Sequence, residues 1–229
     1  MSTVLDEIRG RLVVSCQADP GEPLDDPAHM VALARSARYG GAAGIRAQGL
    51  RDLRALRAAL PDTPLIGLVK DGAFGVYITP TLAHACAVAE TGVDVVALDG
   101  TTRPRPDGRT LADTVAALRD RHDVLVMADV ASVADADAAV AAGVDLVGTT
   151  LSGYTGGPVP HDPDLDLVAA LAARLDVPVV AEGRINTPEE AAEALRRGAH
   201  AVVVGTAITR PAVVTARFAT ALLTSREMS

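Results

Sequence analysis

Short runs of aliphatic residues alternate eight times with longer stretches rich in alanine and leucine, and this alternation limits the possible folds more than any other feature. Apolar runs of four or five residues are typical of strands buried on both faces, as in parallel sheets covered by helices. The predicted strands span residues 12–16, 43–46, 65–69, 95–99, 124–128, 146–149, 177–181 and 201–204.

A helical stretch follows each of these runs, and residues 3–9 predict a short leading helix. The eight helices are predicted over 27–39, 50–60, 81–91, 111–121, 133–142, 165–175, 188–197 and 212–223. An open doubly wound sheet is the alternative, but its edge strands would be less apolar than its centre, and all eight runs here are strongly apolar. The sequence therefore predicts an α/β fold, a single (β/α)8 TIM barrel that forms one domain over 1–229.

Helix boundaries carry recognisable end signals. Thr187 precedes Pro188, and Glu190 follows at the capping-box spacing, so a helix is predicted to begin there. A glycine follows four of the predicted helices, where a left-handed backbone is expected: Gly40, Gly92, Gly143 and Gly198.

Composition excludes several classes of function. A net charge of -8 and only two Phe and three Tyr argue against nucleic-acid binding. No apolar run approaches the roughly 20 residues that a membrane-spanning helix needs. Residues 1–9 are charged and lack the apolar centre of a secretory signal, so a cytoplasmic protein is expected. Cys16 and Cys86 are interpreted as small buried residues.

Polar residues follow the predicted strands, at the end of a barrel where active sites lie. Lys70 comes directly after the run "LIGLV" and is the only lysine among 21 Lys and Arg residues. Arginine stays protonated in proteins, whereas a desolvated lysine near a second cation such as Arg46 can act as a general base. The alternative is a lysine left on the surface by chance.

Two carboxylates follow other strands. Glu182 follows "VPVVA" and is suited to proton transfer at a sugar oxygen, or to pairing with Arg184 or Arg46. Asp129 follows "VLVMA" and fits either catalysis or the orientation of a lysine or hydroxyl group.

The loops after the seventh and eighth strands predict a phosphate site, because this part of a barrel commonly binds anions. Gly183 and Gly205, the latter followed by Thr206, would let backbone N–H groups approach a phosphate, and Arg210 would add charge. Alternatively, the glycines only relieve crowding at the strand ends.

The five histidines have no ligand spacing, and no nucleotide-binding fingerprint follows the first strand. The sequence therefore predicts no metal and no cofactor.

Six motifs resemble those of bacterial N-acetylmannosamine-6-phosphate 2-epimerases. In order they read "LVVSCQADPGEPL", "GIRAQG", "VYITPT", "LVGTTLSGYT", "VVAEGRINTPEEA" and "VVVGTAITRP", and the similarity covers residues 11–218. The resemblance implies that Lys70 and Glu182 are the catalytic pair and that Gln17, Arg46 and Asp129 line the sugar site. It also implies a phosphorylated N-acyl amino sugar as substrate, a homodimer, and a role in amino sugar and sialic acid catabolism.

The implied reaction is epimerisation at C2, with Lys70 as the base. Arg46 or Gln17 would stabilise the enediolate-like oxygen or hold the N-acetyl group, and Arg184 is placed in the same site. Tyr154 would either close over the substrate or pack on the surface. The sequence departs from the family at Thr206, where a second glycine is usual, and in the loop 71–75, which is shorter.

Two other functions fit the same residues. In a class I aldolase Lys70 would form a Schiff base with a carbonyl substrate. A silent sugar-phosphate binding module is the other alternative, since fold alone does not prove activity.

Overall fold

Eight parallel strands close into a barrel in sequence order, β1 to β8, as predicted. The computed structural model describes residues 3–72 and 74–227, with side chains to residue 224. The strands are β1 (Leu12–Cys16), β2 (Gly44–Gln48), β3 (Leu65–Leu68), β4 (Val95–Asp99), β5 (Leu125–Asp129), β6 (Leu146–Gly148), β7 (Val179–Glu182) and β8 (Ala201–Val204). The prediction of one domain over 1–229 includes residues 1, 2, 73, 228 and 229, which lie outside the described residues, and it stays a prediction.

A short helix precedes β1, and at least one helix follows each of the eight strands. The helices are α1 (Val4–Ile8), α2 (Pro27–Tyr39), α3 (Leu50–Ala59), α4 (Leu82–Ala89), α5 (Leu111–Arg119), α6 (Val133–Ala141), α7 (Leu165–Arg174), α8 (Pro188–Arg196), α9 (Thr206–Thr209) and α10 (Pro211–Glu227). The single turn α9 was not predicted, because four residues are too few to show a helical period. Within the described residues, no helix combines the length and the apolar character needed to cross a membrane.

Two predicted strands end one residue too early. Asp129 and Glu182 belong to β5 and β7, where Asp129 pairs with Gly148 of β6 and Glu182 pairs with Val203 of β8. Parallel pairing thus continues through both carboxylates, which fixes their backbone positions rather than leaving them in loops.

The core has two layers that follow the alternation of side chains along each strand. Residues such as Ile66, Leu68 and Val203 face the barrel interior, together with Ile8 of α1. Residues such as Leu98 and Val147 face the surrounding helices. Because Ile8 joins the interior cluster, α1 closes the N-terminal end of the barrel, and the opposite end remains for a site.

The helix-end signals are confirmed with one exception. The Thr187 hydroxyl accepts from the Glu190 N–H, the Glu190 side chain accepts in return, and Pro188 lies in the first turn. Gly92, Gly143 and Gly198 have positive φ. Gly40 does not: its φ is -75°, and the next residue, Gly41, adopts the left-handed backbone at 98°. The expectation for Gly40 was wrong because the turn uses two glycines in succession.

The recurring phrases "GVDVV" and "GVDLV" place an aspartate at equivalent positions before β4 and β6. Asp94 Oδ2 accepts from the Leu65 N–H at 2.8 Å and from Arg57 at 2.6 Å. Asp145 Oδ2 accepts from the Val126 N–H at 2.7 Å. Each carboxylate therefore satisfies a backbone donor at the start of the preceding strand.

We predict that Asp94→Ala lowers the free energy of unfolding by about 1–2 kcal/mol, because it removes the acceptor of the Leu65 N–H. This estimate is at the lower end of the usual cost of an unsatisfied buried backbone group, because the Asp94 side chain is 31% exposed. Urea denaturation measures the change. Asp166→Ala, which removes a 95% exposed carboxylate that pairs with Arg197, is the control and should leave stability nearly unchanged. Equal stability of the wild type and the Asp94 variant would contradict the prediction.

Candidate active site

A cavity of about 890 Å³ opens at the carboxyl ends of the strands. Ten of the eleven residues predicted for the site line it, and these are Gln17, Arg46, Lys70, Tyr154, Glu182, Gly183, Arg184, Gly205, Thr206 and Arg210. Asp129 is the exception: it is fully buried and does not line the cavity.

Asp129 does not reach the cavity but is hydrogen-bonded to Arg46. Arg46 lies on β2, lines the cavity and is itself 1% exposed. The guanidinium donates from Nη2 to Asp129 Oδ2 at 2.6 Å and from Nη1 to Asp129 Oδ1 at 3.2 Å. Nη1 also lies 3.2 Å from Glu182 Oε2. Burial alone would lower the pKa of Arg46, but the two carboxylates outweigh it and raise the pKa. Arg46 is therefore a fixed cation between two carboxylates.

Glu182, the last residue of β7, has a side chain that is 12% exposed. The Thr149 hydroxyl holds its backbone, since it donates to the Glu182 carbonyl at 2.9 Å and accepts from the Glu182 N–H at 3.1 Å. Burial raises the pKa of Glu182 to about 7, with a contribution from Asp129, although Arg46, Thr150 and Lys70 act in the opposite direction. Glu182 can therefore gain or lose a proton near neutral pH.

Lys70 follows β3, where the chain turns back on itself and Lys70 pairs with Ile78 in an antiparallel bridge. Thr79 makes this return possible with a φ of 42°, and its hydroxyl donates to the Ala97 carbonyl at 2.6 Å. The shorter loop expected over 71–75 includes residue 73, which lies outside the described residues.

The Lys70 side chain projects into the open cavity and is accessible to water there, but the cavity walls surround it on the other sides. This desolvation lowers its pKa, assisted by Arg46 and Arg210, while Asp19 and Glu182 act to raise it. A larger fraction of Lys70 is therefore neutral, and able to accept a proton, than of an ordinary lysine.

Lys70 and Glu182 approach the cavity from opposite sides. Lys70 follows β3 and Glu182 ends β7, and these strands lie four positions apart in a closed ring of eight. A small molecule between them would present opposite faces to the two groups.

The predicted phosphate residues lie together at one side of the cavity. Gly183 has a φ of 111°, and Gly205 precedes α9, whose first N–H groups have no carbonyl in the preceding turn. Arg210 is engaged by acidic groups, since it donates to Asp19 at 2.8 Å and also to Glu22. Its charge is partly neutralised, so the backbone N–H groups gain importance for anion binding.

Arg184 and Tyr154 form a single unit at the cavity rim. The Arg184 guanidinium lies 5.4 Å from the centre of the Tyr154 ring, an arrangement suited to a cation–π contact. It also donates to the carbonyls of Ser152 and, at 2.8 Å, Asp162. Arg184 thus connects both ends of the 152–162 loop to the end of β7, and Tyr154 remains 43% exposed.

Several cavity residues were not predicted as site residues: Ser15, Tyr77, Thr150, Asn186 and Arg217. Ser15 accepts from the Gln17 amide at 2.8 Å. Thr150 lies two residues beyond β6, and this place at a strand end indicates the site end of the barrel, although the sequence assigns it no role. Arg217 reaches the cavity from α10 and donates to Asn186 at 2.8 Å, a contact between distant elements that no local pattern signals.

Neither cysteine lines the cavity. Cys16 is buried, and burial raises its pKa to about 12, whereas Cys86 is only half-buried, so the expectation for Cys86 was wrong in degree. In the part of the chain that the structure describes, no three His, Cys, Asp or Glu side chains are grouped to hold a metal ion.

Comparisons with known proteins place this geometry in context. The model of a family described as "Putative N-acetylmannosamine-6-phosphate epimerase" matches residues 30–224. A protein from Cutibacterium acnes described as "Putative N-acetylmannosamine-6-phosphate 2-epimerase" is 51% identical to this chain, and the alignment covers 96% of each chain. The solved structure of the N-acetylmannosamine-6-phosphate 2-epimerase from Clostridium perfringens is 40% identical, with a TM-score of 0.91 over 96% of each chain.

A deoxyribose phosphate aldolase from Aeropyrum pernix shares the barrel with a TM-score of 0.65 at 19% identity, over 91% of each chain. Identity at that level indicates a common fold and nothing about chemistry.

Proposed function

Because the chain belongs to the N-acetylmannosamine-6-phosphate epimerase family, we propose that it is an isomerase that converts N-acetylmannosamine 6-phosphate into N-acetylglucosamine 6-phosphate. The observation that carries the proposal is the position of Lys70 and Glu182 on opposite sides of one cavity, each with a pKa displaced by burial.

The two sugars differ only in configuration at C2. In the open-chain form C2 is adjacent to the C1 aldehyde, so the electrons of the C2–H bond can move onto the carbonyl oxygen when the proton leaves. Return of a proton to the opposite face of the planar intermediate inverts C2. The aldehyde itself accepts the electrons, so the proposed steps need neither a metal ion nor a cofactor.

Lys70 is the group that removes the C2 proton. Its lowered pKa increases the neutral fraction that a base requires, and arginine could not replace it in this role. Glu182 supplies the proton to the other face. Its pKa of about 7 keeps a substantial protonated fraction at neutral pH, which a carboxyl group in water would not have.

The remaining predicted residues have supporting roles. Arg46 places a buried positive charge beside the reacting centre, where negative charge develops on the enediolate oxygen. Asp129 holds Arg46 in place rather than binding the sugar directly. Gln17 binds the sugar or its N-acetyl group from the end of β1, and Tyr154 with Arg184 forms the rim over the substrate.

The phosphate is assigned to the ends of β7 and β8. Gly183, Gly205 and Thr206 supply backbone N–H groups and Arg210 supplies a cation. Asp19 and Glu22 occupy Arg210 in the free protein, so phosphate binding would exchange carboxylate contacts for phosphate contacts.

A homodimer, a cytoplasmic location and a role in sialic acid and other amino sugar catabolism belong to the same proposal. The dimer is supported by α10, whose main contacts are with the short α9. Its apolar side chains include Phe218 and Leu223, which are 70% and 63% exposed. Exposed apolar surface of this kind is commonly covered by a partner.

Proton NMR in D2O with N-acetylmannosamine 6-phosphate tests the reaction. We predict that the wild type forms N-acetylglucosamine 6-phosphate with deuterium at C2. Lys70→Ala and Lys70→Arg should lose about 10²–10⁴-fold in rate, because neither variant retains a base at this position. Arg174→Ala, which removes an exposed cation on α7, is the matched control and should keep wild-type turnover.

Wild-type protein that leaves the C2 proton of the substrate in place would contradict the substrate assignment. Turnover that survives in Lys70→Ala would instead assign the base to another group. A substrate-dependent adduct at Lys70 after borohydride treatment would indicate aldolase chemistry in place of epimerisation.

Analytical ultracentrifugation tests the dimer. We predict that Phe218→Asp shifts the protein from twice the chain mass to the chain mass, because a carboxylate would be buried at the interface. Tyr39→Asp is the control, since this side chain is 97% exposed at the end of α2 and should have no effect. A monomeric wild type, or a dimer unchanged in Phe218→Asp, would contradict this part of the proposal.

A further inference from the structure

The Thr150 hydroxyl lies between the carboxyl groups of Asp129 and Glu182. Its oxygen is 2.6 Å from Asp129 Oδ1 and 3.2 Å from Glu182 Oε2. The residue lies two positions beyond the end of β6, and it lines the cavity. No other hydroxyl among the described residues forms hydrogen bonds to both groups.

A hydroxyl has one proton to donate and two lone pairs that accept. Asp129 accepts from Arg46, and its contact with Thr150 is the shorter of the two Thr150 contacts, so the Thr150 proton points to Asp129. A lone pair of Thr150 then faces Glu182. This arrangement is favourable when Glu182 carries a proton and can donate it to Thr150.

After Glu182 gives up its proton, two acceptors would face each other across 3.2 Å. The Thr150 hydroxyl can turn and donate to Glu182 Oε2 instead. Asp129 Oδ1 then keeps its contact with Arg46 Nη1, at 3.2 Å, as its remaining partner. One rotation about a single bond therefore serves both charge states of Glu182.

We propose that Thr150 is a positioning residue whose hydroxyl reverses its hydrogen bond each time Glu182 gains or loses a proton, and so keeps the Glu182 carboxyl group aimed at the substrate in both states. The inference rests on the proposed function, in which Glu182 exchanges a proton during each turnover.

The other charged groups that face Glu182 come from separate elements: Arg46 from β2, Asp129 from β5, and Lys70 from the end of β3. Arg46, which makes the direct contact with Glu182 Oε2, can only donate, whereas the Thr150 hydroxyl can either donate or accept. The Glu182 backbone is held independently by Thr149, so removal of the Thr150 hydroxyl should leave the backbone of Glu182 in place.

The test is the pH dependence of kcat and KM for epimerisation by the full chain, in the wild type, Thr150→Val and Thr150→Ser. Valine keeps the shape of threonine without its hydroxyl, and serine keeps the hydroxyl. We expect Thr150→Val to lower kcat about tenfold with little change in KM, since the hydroxyl acts on the proton donor rather than on binding.

The Thr150 hydrogen bond lowers the pKa of Glu182, so its loss should raise that pKa further. The part of the kcat–pH profile that reports Glu182 should therefore move to higher pH. The expected shift is about one pH unit, which corresponds to the free energy of a hydrogen bond to a charged group. Thr150→Ser should restore both kcat and the profile. Thr114→Val is the matched control: it removes the hydroxyl of a fully buried residue of α5 that donates only to the carbonyl of Thr110, the N-cap of that helix, and should leave both unchanged.

The proposal would be overturned if Thr150→Val kept the kcat and the pH profile of the wild type. It would also be overturned if Thr150→Ser were as impaired as Thr150→Val. Either result would leave the epimerase function intact. Absence of C2 exchange in the wild type would overturn the proposed function and this inference with it. If Thr150→Val lacks the native circular dichroism spectrum, Thr150→Ala provides the same comparison.

Discussion

The buried contact of Arg46 with Asp129 and Glu182 is the interaction on which the rest of the site depends. One guanidinium, 1% exposed, faces two carboxylates in a region with little water. A single cation cannot fully compensate two buried anions, so ionising both carboxyl groups at once costs free energy. Asp129 has the closer, two-point contact with Arg46, whereas Glu182 has a single contact and its burial raises its pKa to about 7. Arg46 opposes this rise, but burial together with the nearby Asp129 outweighs it, so Glu182 exchanges its proton near neutral pH.

The barrel makes this arrangement possible because it brings residues far apart in sequence to one end of a closed sheet. Arg46, Asp129 and Glu182 come from β2, β5 and β7, and Lys70 follows β3 on the side opposite Glu182. Parallel pairing through Asp129 and Glu182 fixes their backbones before any side-chain contact forms. The rigid strands therefore position the proton-exchanging groups, while the loops at 152–162 and 19–22 border the cavity and hold its cations.

Much of this could be predicted from the sequence, because it depends on local periodicity and on a geometric rule. Apolar runs predicted eight strands, and the rule that strand ends converge placed Lys70 and Glu182 in one cavity. The partners of each charge could not be predicted, since they depend on distances across the barrel. Asp129 therefore proved to lie beneath Arg46 instead of at the cavity surface, and Arg210 proved to be paired with Asp19 and Glu22. The place of Thr150 beyond a strand indicates the site end of the barrel, but its role is visible only from its two carboxylate neighbours.

The central claim is that the network holds the Glu182 carboxyl group at a pKa suited to proton exchange. A carbon-13 NMR titration of protein labelled at the glutamate side-chain carboxyl, with Glu182→Gln used to assign the signal, measures this directly. The account predicts a Glu182 resonance that titrates with a midpoint of about 7, well above the ordinary value of 4.5. A midpoint near 4.5 would show that Glu182 is simply an ionised partner of Arg46 at neutral pH, and would contradict its assignment as the proton donor.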